Sequence, residues 1–201
     1  MIGMALWIIE APINAAESPV RPGDHIAFVG NTFADQLRSH GFLETLLLQR
    51  SAGNPVSIRN LGWAGDMLTA RDRPTNFPTE ASTLAAHKTD VIIACFGMGE
   101  SFEGESALVE FKNNLAAFIA SHRGKKYNGK SEVRLVLVSP IAYENLGLRT
   151  PRWQERNREL SAYTRIMSET ASKMGVPFVD LYGPTTELIK DKNTPSLTDN
   201  G

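Results

Sequence analysis

Two kinds of apolar pattern alternate along this chain. The first is short and continuous: "HIAFVG", "PVSIRNL", "DVIIACFG", "VRLVLVS" and "PFVDL". These have strand length and run into glycine, serine, asparagine or aspartate. The second recurs every three or four residues, the spacing of one helix face. "FADQLRSH" and "FLETLLLQR" form a helical stretch broken at Gly41. "TEASTLAAHK" reads as a helix opened by Thr79. In "SALVEFKNNLAAFIASHR", Leu108, Phe111, Leu115, Phe118 and Ile119 share a face. In "QERNRELSAYTRIMSETASKMG", Leu160, Tyr163, Met167, Ala171 and Met174 do so, and Gly175 stands where such a helix ends. "TTELIKD" is a last short helix.

Strands alternating with helices predict a parallel sheet covered on both sides, an α/β/α sandwich with five parallel strands. "DVIIACFG" is apolar throughout, as a strand buried on both faces must be. "HIAFVG" is expected at the centre, flanked by "VSIRN" and "VIIACF". The 201 residues suit one such domain, assigned to residues 21–201, behind an N-terminal tail at 1–20.

Charge and composition narrow the partners. A net charge of -1 supplies no basic excess for phosphates, so no nucleic-acid partner is expected. The single cysteine, Cys95, excludes an internal disulfide and a cysteine-based metal cluster. Its mid-strand position makes it a buried thiol. "RGKKYNGK" reads as a solvated basic loop. "MIGMALWII" with "APINAAES" resembles the later part of a secretory signal peptide and points to export, to the periplasm or outside the cell. The lack of a basic start leaves a cytoplasmic tail as the alternative. The run is shorter than the ~20 residues a span needs, so no stable membrane insertion is expected.

Ligands of parallel sheets bind beyond the carboxyl ends of the strands. There the chain carries Gly30-Asn31-Thr32, then "NLGWAGDML", "FGMGESF" and "SPIAYENLG", with "LTDNG" last. From residue type, Asn31 and Thr32 are both good helix caps, and "GMGE" is a glycine turn. Taken together, the set resembles the SGNH hydrolases, or GDSL esterases, from Gly23 to Gly201. Gly30-Asn31-Thr32 stands at the Gly-Asp-Ser of block one. Asn60-Leu61-Gly62-Trp63-Ala64-Gly65 matches block two, and Gly97-Met98-Gly99-Glu100 stands at the Gly-x-Asn-Asp of block three. "DNG" begins block five, with Asn200 at its aspartate.

The resemblance implies a flavodoxin-like sandwich of the SGNH type. It implies hydrolysis of a small or carbohydrate-linked acyl ester, with neither metal nor cofactor. Thr32 takes the nucleophile position. The oxyanion hole would use the N–H groups of Thr32 and Gly65 and an asparagine amide, but that asparagine is Gly99 here. Losing such a donor costs on the order of 10²–10³-fold. Asn145, or a water held by Glu100, is the candidate substitute. Asn31 and Glu100 are expected beside the substrate. The family histidine would fall two residues past Gly201, oriented by Asn200 or Asp199, so the domain is expected to continue beyond this chain. None of His25, His40, His87 and His122 lies at a carboxyl strand end. Ser101, in "GESFEG", is a rival nucleophile. The altered blocks keep a second function open: a degenerate module of the same fold that binds glycan or protein.

Overall fold

The structure is a computed structural model, and it describes residues 18–51, 53–191, 195–199 and 201. Five strands form one sheet: β1 (His25–Gly30), β2 (Ser57–Asn60), β3 (Val91–Cys95), β4 (Arg134–Val138) and β5 (Phe178–Val179). All pair in parallel, in the order β2-β1-β3-β4-β5. The helices between and after them are α1 (Thr32–His40), α2 (Phe42–Arg50), α3 (Glu80–Ala86), α4 (Leu108–His122), α5 (Trp153–Met174) and α6 (Tyr182–Lys190).

Side chains of a strand alternate between faces, and the core follows that rule. Ala27, Val29, Ile92, Ala94, Leu135 and Leu137 point to one face, where they meet Leu84 of α3, Phe111 and Leu115 of α4, and Tyr163 and Met167 of α5. Ile26 and Phe28 point to the other, under Leu37 of α1 and Leu47 of α2. Cys95 and Val138 pack there against Ala34 and Leu181, the residue before α6. These are the three layers that the alternation predicts. The helix faces read from the sequence are the buried ones: Phe111, Leu115, Phe118 and Ile119 on α4, and Leu160, Tyr163, Met167 and Ala171 on α5.

Three details differ from the expectation. The middle strand is β3; β1 does lie between β2 and β3 but is second from the edge. The continuous apolar run of β3 suits the middle, whereas β2 at the edge has an exposed-intermediate pattern. β5 is only two residues long, because Pro177 before it has no N–H to give the ladder. And α6 starts at Tyr182 rather than near Thr185. The Ser139 hydroxyl accepts from the Leu181 and Tyr182 amides (2.8 and 3.0 Å), satisfying donors that a helix start leaves open. Among the described residues no helix is long and apolar enough to cross a membrane.

The order in which strands are added reverses between β1 and β3, and such sheets bind ligands at that point. The two strands close together there through Gly30. Its φ is +133°, and a Cβ on it would lie 2.1 Å from the Cys95 carbonyl oxygen. Asn31 N–H donates to that oxygen at 3.2 Å. Gly30→Ala is therefore expected to lower stability by at least about 2 kcal/mol, from backbone strain and overpacking together. Denaturant unfolding at equilibrium checks it; a loss below about 0.5 kcal/mol, the scale of an ordinary surface change, contradicts this account of the turn.

Candidate active site

The turn after β1 opens α1. Asn31 is the cap: its side-chain oxygen accepts from Phe33 N–H at 3.1 Å, and its carbonyl accepts from Asp35 N–H at 3.0 Å. Asn31 is buried by this role, so it faces the helix and not the solvent where a substrate would lie. Thr32 is the first helical residue and is exposed. Neither its hydroxyl nor its N–H is engaged by another described residue. The cap and the candidate nucleophile are thus separate residues.

The loop after β2 is fastened beside this turn. Asn60 donates through Nδ2 to Ala34 O at 2.6 Å and accepts from Gly62 N–H at 2.8 Å. Trp63 N–H donates to Gly30 O at 3.0 Å. A Cβ on Gly62 would lie 2.5 Å from the Asp35 nitrogen, so only glycine lets the loop lie this close to α1. Gly65 follows, exposed, at φ +86° with open space around it and its N–H unengaged by any other described residue. Its glycine is required by backbone conformation and not by crowding. Asp66 then accepts a fork from Arg73, at 2.8 and 2.6 Å.

The loop after β3 is held by Glu100. Its two oxygens accept from Leu68 N–H (2.9 Å) and Gly97 N–H (2.8 Å), so it joins the second loop to the third. Burial pushes its carboxyl above the usual range, against the pull of those amides. Glu100 is expected from the sequence beside the substrate; it is instead buried, with both oxygens committed to backbone. Gly99 shows what fills the place of the family asparagine. A Cβ there would lie 3.0 Å from Met67 Cγ, and Met67 was not singled out in the sequence. Asn145, one candidate substitute donor, is turned toward its own loop and accepts from Gly147 N–H at 3.1 Å.

The rival nucleophile is sealed in. Ser101 is fully buried; its hydroxyl donates to Met98 O (2.7 Å) and accepts from Arg156 Nη2 (2.6 Å). Burial pushes the Cys95 thiol up to about 12, so it stays protonated at neutral pH. The histidines lie at the wrong end. Crossover helices run back along the sheet, so their last turns sit at the amino ends of the strands. His87 after α3 meets His25 at the start of β1, His87 O lying 2.6 Å from His25 Nδ1. His122 at the end of α4 is neutral, its pKa lowered to about 4 by burial and then by Arg71 and Lys125.

The loop after β4 organises the tail. The Glu144 carboxylate accepts from the Thr198 N–H and hydroxyl (2.9 and 2.8 Å), from Leu197 N–H (3.0 Å) and from the Ser196 hydroxyl (3.1 Å). Arg149 donates to Asp199 O at 3.1 Å, and Glu144 N–H to Gly201 O at 3.3 Å. Nothing in the sequence singled Glu144 out, since its partners lie more than fifty residues away. Asn200 falls outside the described residues. The structure therefore joins the loops carrying Thr32, Gly65 and Gly99, and sets the tail on the loop after β4.

The profile of the GDSL-like Lipase/Acylhydrolase family matches residues 23–200. No curated protein matches the chain in a sequence comparison. Among solved structures, a catalytic mutant of Axe2, an acetylxylan esterase from Geobacillus stearothermophilus, is similar at 18% identity with a TM-score of 0.61, over 86% of this chain and 82% of that one. LAE5, an alpha/beta hydrolase enzyme from the metagenome of Lake Arreo, is similar at 14% identity with a TM-score of 0.63, over 90% and 88%. A gut microbial diltiazem-metabolizing enzyme is similar at 20% identity with a TM-score of 0.58, over 90% of this chain and 43% of that one.

The tail clasp titrates. Burial raises the Glu144 pKa, but the hydrogen bonds from Thr198, Ser196 and Leu197 outweigh it and hold the carboxyl below its ordinary 4.5. A depressed folded pKa stabilises above the unfolded value, and that contribution is lost as pH falls through the folded pKa. The amide resonances of Leu197 and Thr198 are expected to titrate together at a midpoint below 4.5. In Glu144→Gln at neutral pH the same amides should exchange faster while those of β3 do not change. A midpoint at or above 4.5 contradicts the clasp.

Proposed function

Because the chain belongs to the GDSL-like Lipase/Acylhydrolase family, we propose that it cleaves a small or carbohydrate-linked acyl ester with Thr32 as the nucleophile. One observation carries this reading: Asn31 does the capping, so the Thr32 hydroxyl stands exposed at the carboxyl end of β1 and, among the described residues, unengaged. Two further features support it. Among the described residues the N–H groups of Thr32, at the start of α1, and Gly65, on the loop after β2, are unengaged donors, and the Trp63–Gly30 hydrogen bond fastens the two segments together. And solved structures of the same fold include acetylxylan and acetyl-xylooligosaccharide esterases.

In this mechanism Thr32 Oγ1 bonds to the acyl carbon as a general base takes its proton. The carbonyl π pair moves to oxygen, where the Thr32 and Gly65 amides stabilise the charge. Collapse expels the alcohol, protonated by the same base, and leaves the acyl group on Thr32. Water attacks this ester in turn and regenerates the hydroxyl. In the family pattern that this reading follows, the base is the block-five histidine, oriented by the residue that Asn200 or Asp199 represents here. The threonine methyl restricts χ1 and crowds the approach of the acyl carbon.

On the full-length protein, Thr32→Ala should lower p-nitrophenyl acetate hydrolysis by at least about 10²-fold, and Thr32→Ser should raise it. An unchanged rate in Thr32→Ala rejects the nucleophile and favours the degenerate binding module.

The third donor is open to a second test. Gly99→Asn alone should gain little, because Met67 fills the space its side chain needs. Gly99→Asn combined with Met67→Ala should raise kcat, by up to about 10²-fold, the worth of one oxyanion donor. Equal kcat in the single and the double variant refutes the part assigned to Met67.

A further inference from the structure

Next to the second loop lies a cavity of about 410 Å³, within the range of small-ligand sites. Arg38, Arg59, Trp63, Arg71, Arg73 and Phe77 give it its character. Three of the guanidinium groups are matched by carboxylates: Arg38 by Asp35, Arg71 by Glu80 at 2.6 Å, and Arg73 by Asp66 at 2.6 Å. Arg59, exposed on the edge strand β2, has no partner among the described residues. Arg59 is therefore the one guanidinium of this lining that no carboxylate of the described residues pairs with, and it is a group able to grip a carboxylate with two parallel hydrogen bonds.

The aromatic rings are as unusual as the charge. Trp63 is 40% exposed and Phe77 45% exposed. They meet edge to face at 5.6 Å, and the Arg73 guanidinium lies over Trp63 at 4.6 Å. Asp66 fixes Arg73, and Arg73 fixes the indole, so the rings are held in place without a ligand. Rigid, half-exposed aromatics give apolar contact area at little entropic cost.

We propose that this cavity binds a carboxylate-bearing sugar unit of the substrate, with Arg59 gripping the carboxylate and Trp63 and Phe77 lying against the ring. This deepens the ester-hydrolase reading above and rests on it for the sugar. A single unpaired guanidinium suits a monoanionic carboxylate better than a dianionic phosphate. Position agrees with a unit adjoining the reacting one. Trp63 belongs to the loop whose amide holds Gly30 O, and Arg38 lies six residues along α1 from Thr32, a rise of about 9 Å. Glu100, by contrast, is buried and committed to backbone.

The test is calorimetric titration of the full-length protein with trigalacturonate, xylotriose and inorganic phosphate, beside the Arg59→Gln variant. Trigalacturonate is expected to bind roughly tenfold or more tightly than xylotriose, the effect of one charge-assisted pair, and to weaken with added salt. Arg59→Gln should remove that preference and leave xylotriose unchanged. Equal binding of the two sugars, binding of neither, or a preference that survives Arg59→Gln overturns the proposal. Phosphate binding as tight as trigalacturonate, with the same dependence on Arg59, overturns the carboxylate. Hydrolysis of p-nitrophenyl acetate, followed in the same samples, separates the two readings. Acid preference without hydrolysis sinks the esterase and keeps the cavity, and hydrolysis without acid preference does the reverse.

Discussion

The site depends on one close approach of backbone to backbone. Gly30 lies against the Cys95 carbonyl with no room for a Cβ, and the next amide, of Asn31, bonds to that carbonyl. This contact lets the chain leave β1 and turn into α1 within one residue. It delivers Asn31 to the cap and Thr32 to the surface. It also puts the Gly30 carbonyl where Trp63 N–H can reach it, so the second loop is built on the first. Each later loop is fastened to one already placed: the third to the second by Glu100, and the tail to the fourth by Glu144. The fastenings are polar and mostly backbone, which suits loops that carry too little apolar surface to pack by themselves.

The electrostatics of these fastenings differ in sign. Glu100 is buried deeply enough that burial outweighs its two amide donors and its pKa rises. Glu144 gathers more donors, including two hydroxyls, and its pKa falls. The same side chain thus serves as a clip with a raised pKa inside the site and as one with a lowered pKa at its rim. Arg156 plays a third part, filling the space behind Ser101 and stacking over Phe102 at 3.7 Å.

The sheet and its helices were legible in the sequence because their signals are periodic and local. The buried faces of α4 and α5, the cap at Thr79 and the end at Gly175 lie where the pattern put them. Strand order was harder, since nothing local says that β3 and not β1 takes the middle. In the site, residue type drew attention to polar side chains without saying which way they turn. Asn31 and Glu100 are polar residues beside a cleft, and both turn inward because helix and loop amides there need acceptors. Met67, Glu144 and Arg59 left no signal. A methionine filling a missing side chain's place, a carboxylate clasping residues fifty positions away and an arginine without a partner among the described residues are facts of three-dimensional arrangement.

The tail clasp has a consequence for how the molecule comes into being. Residues 195–199 are synthesised after every element they dock on, and they are fixed by one carboxylate and one guanidinium more than by packing. The buried core of the sheet and both helical layers includes none of these residues, so it can form before the clasp closes. The sheet is thus closed first and the tail clasped second. During that interval a nascent chain holds Thr32 exposed on the turn after β1 with the tail not yet docked.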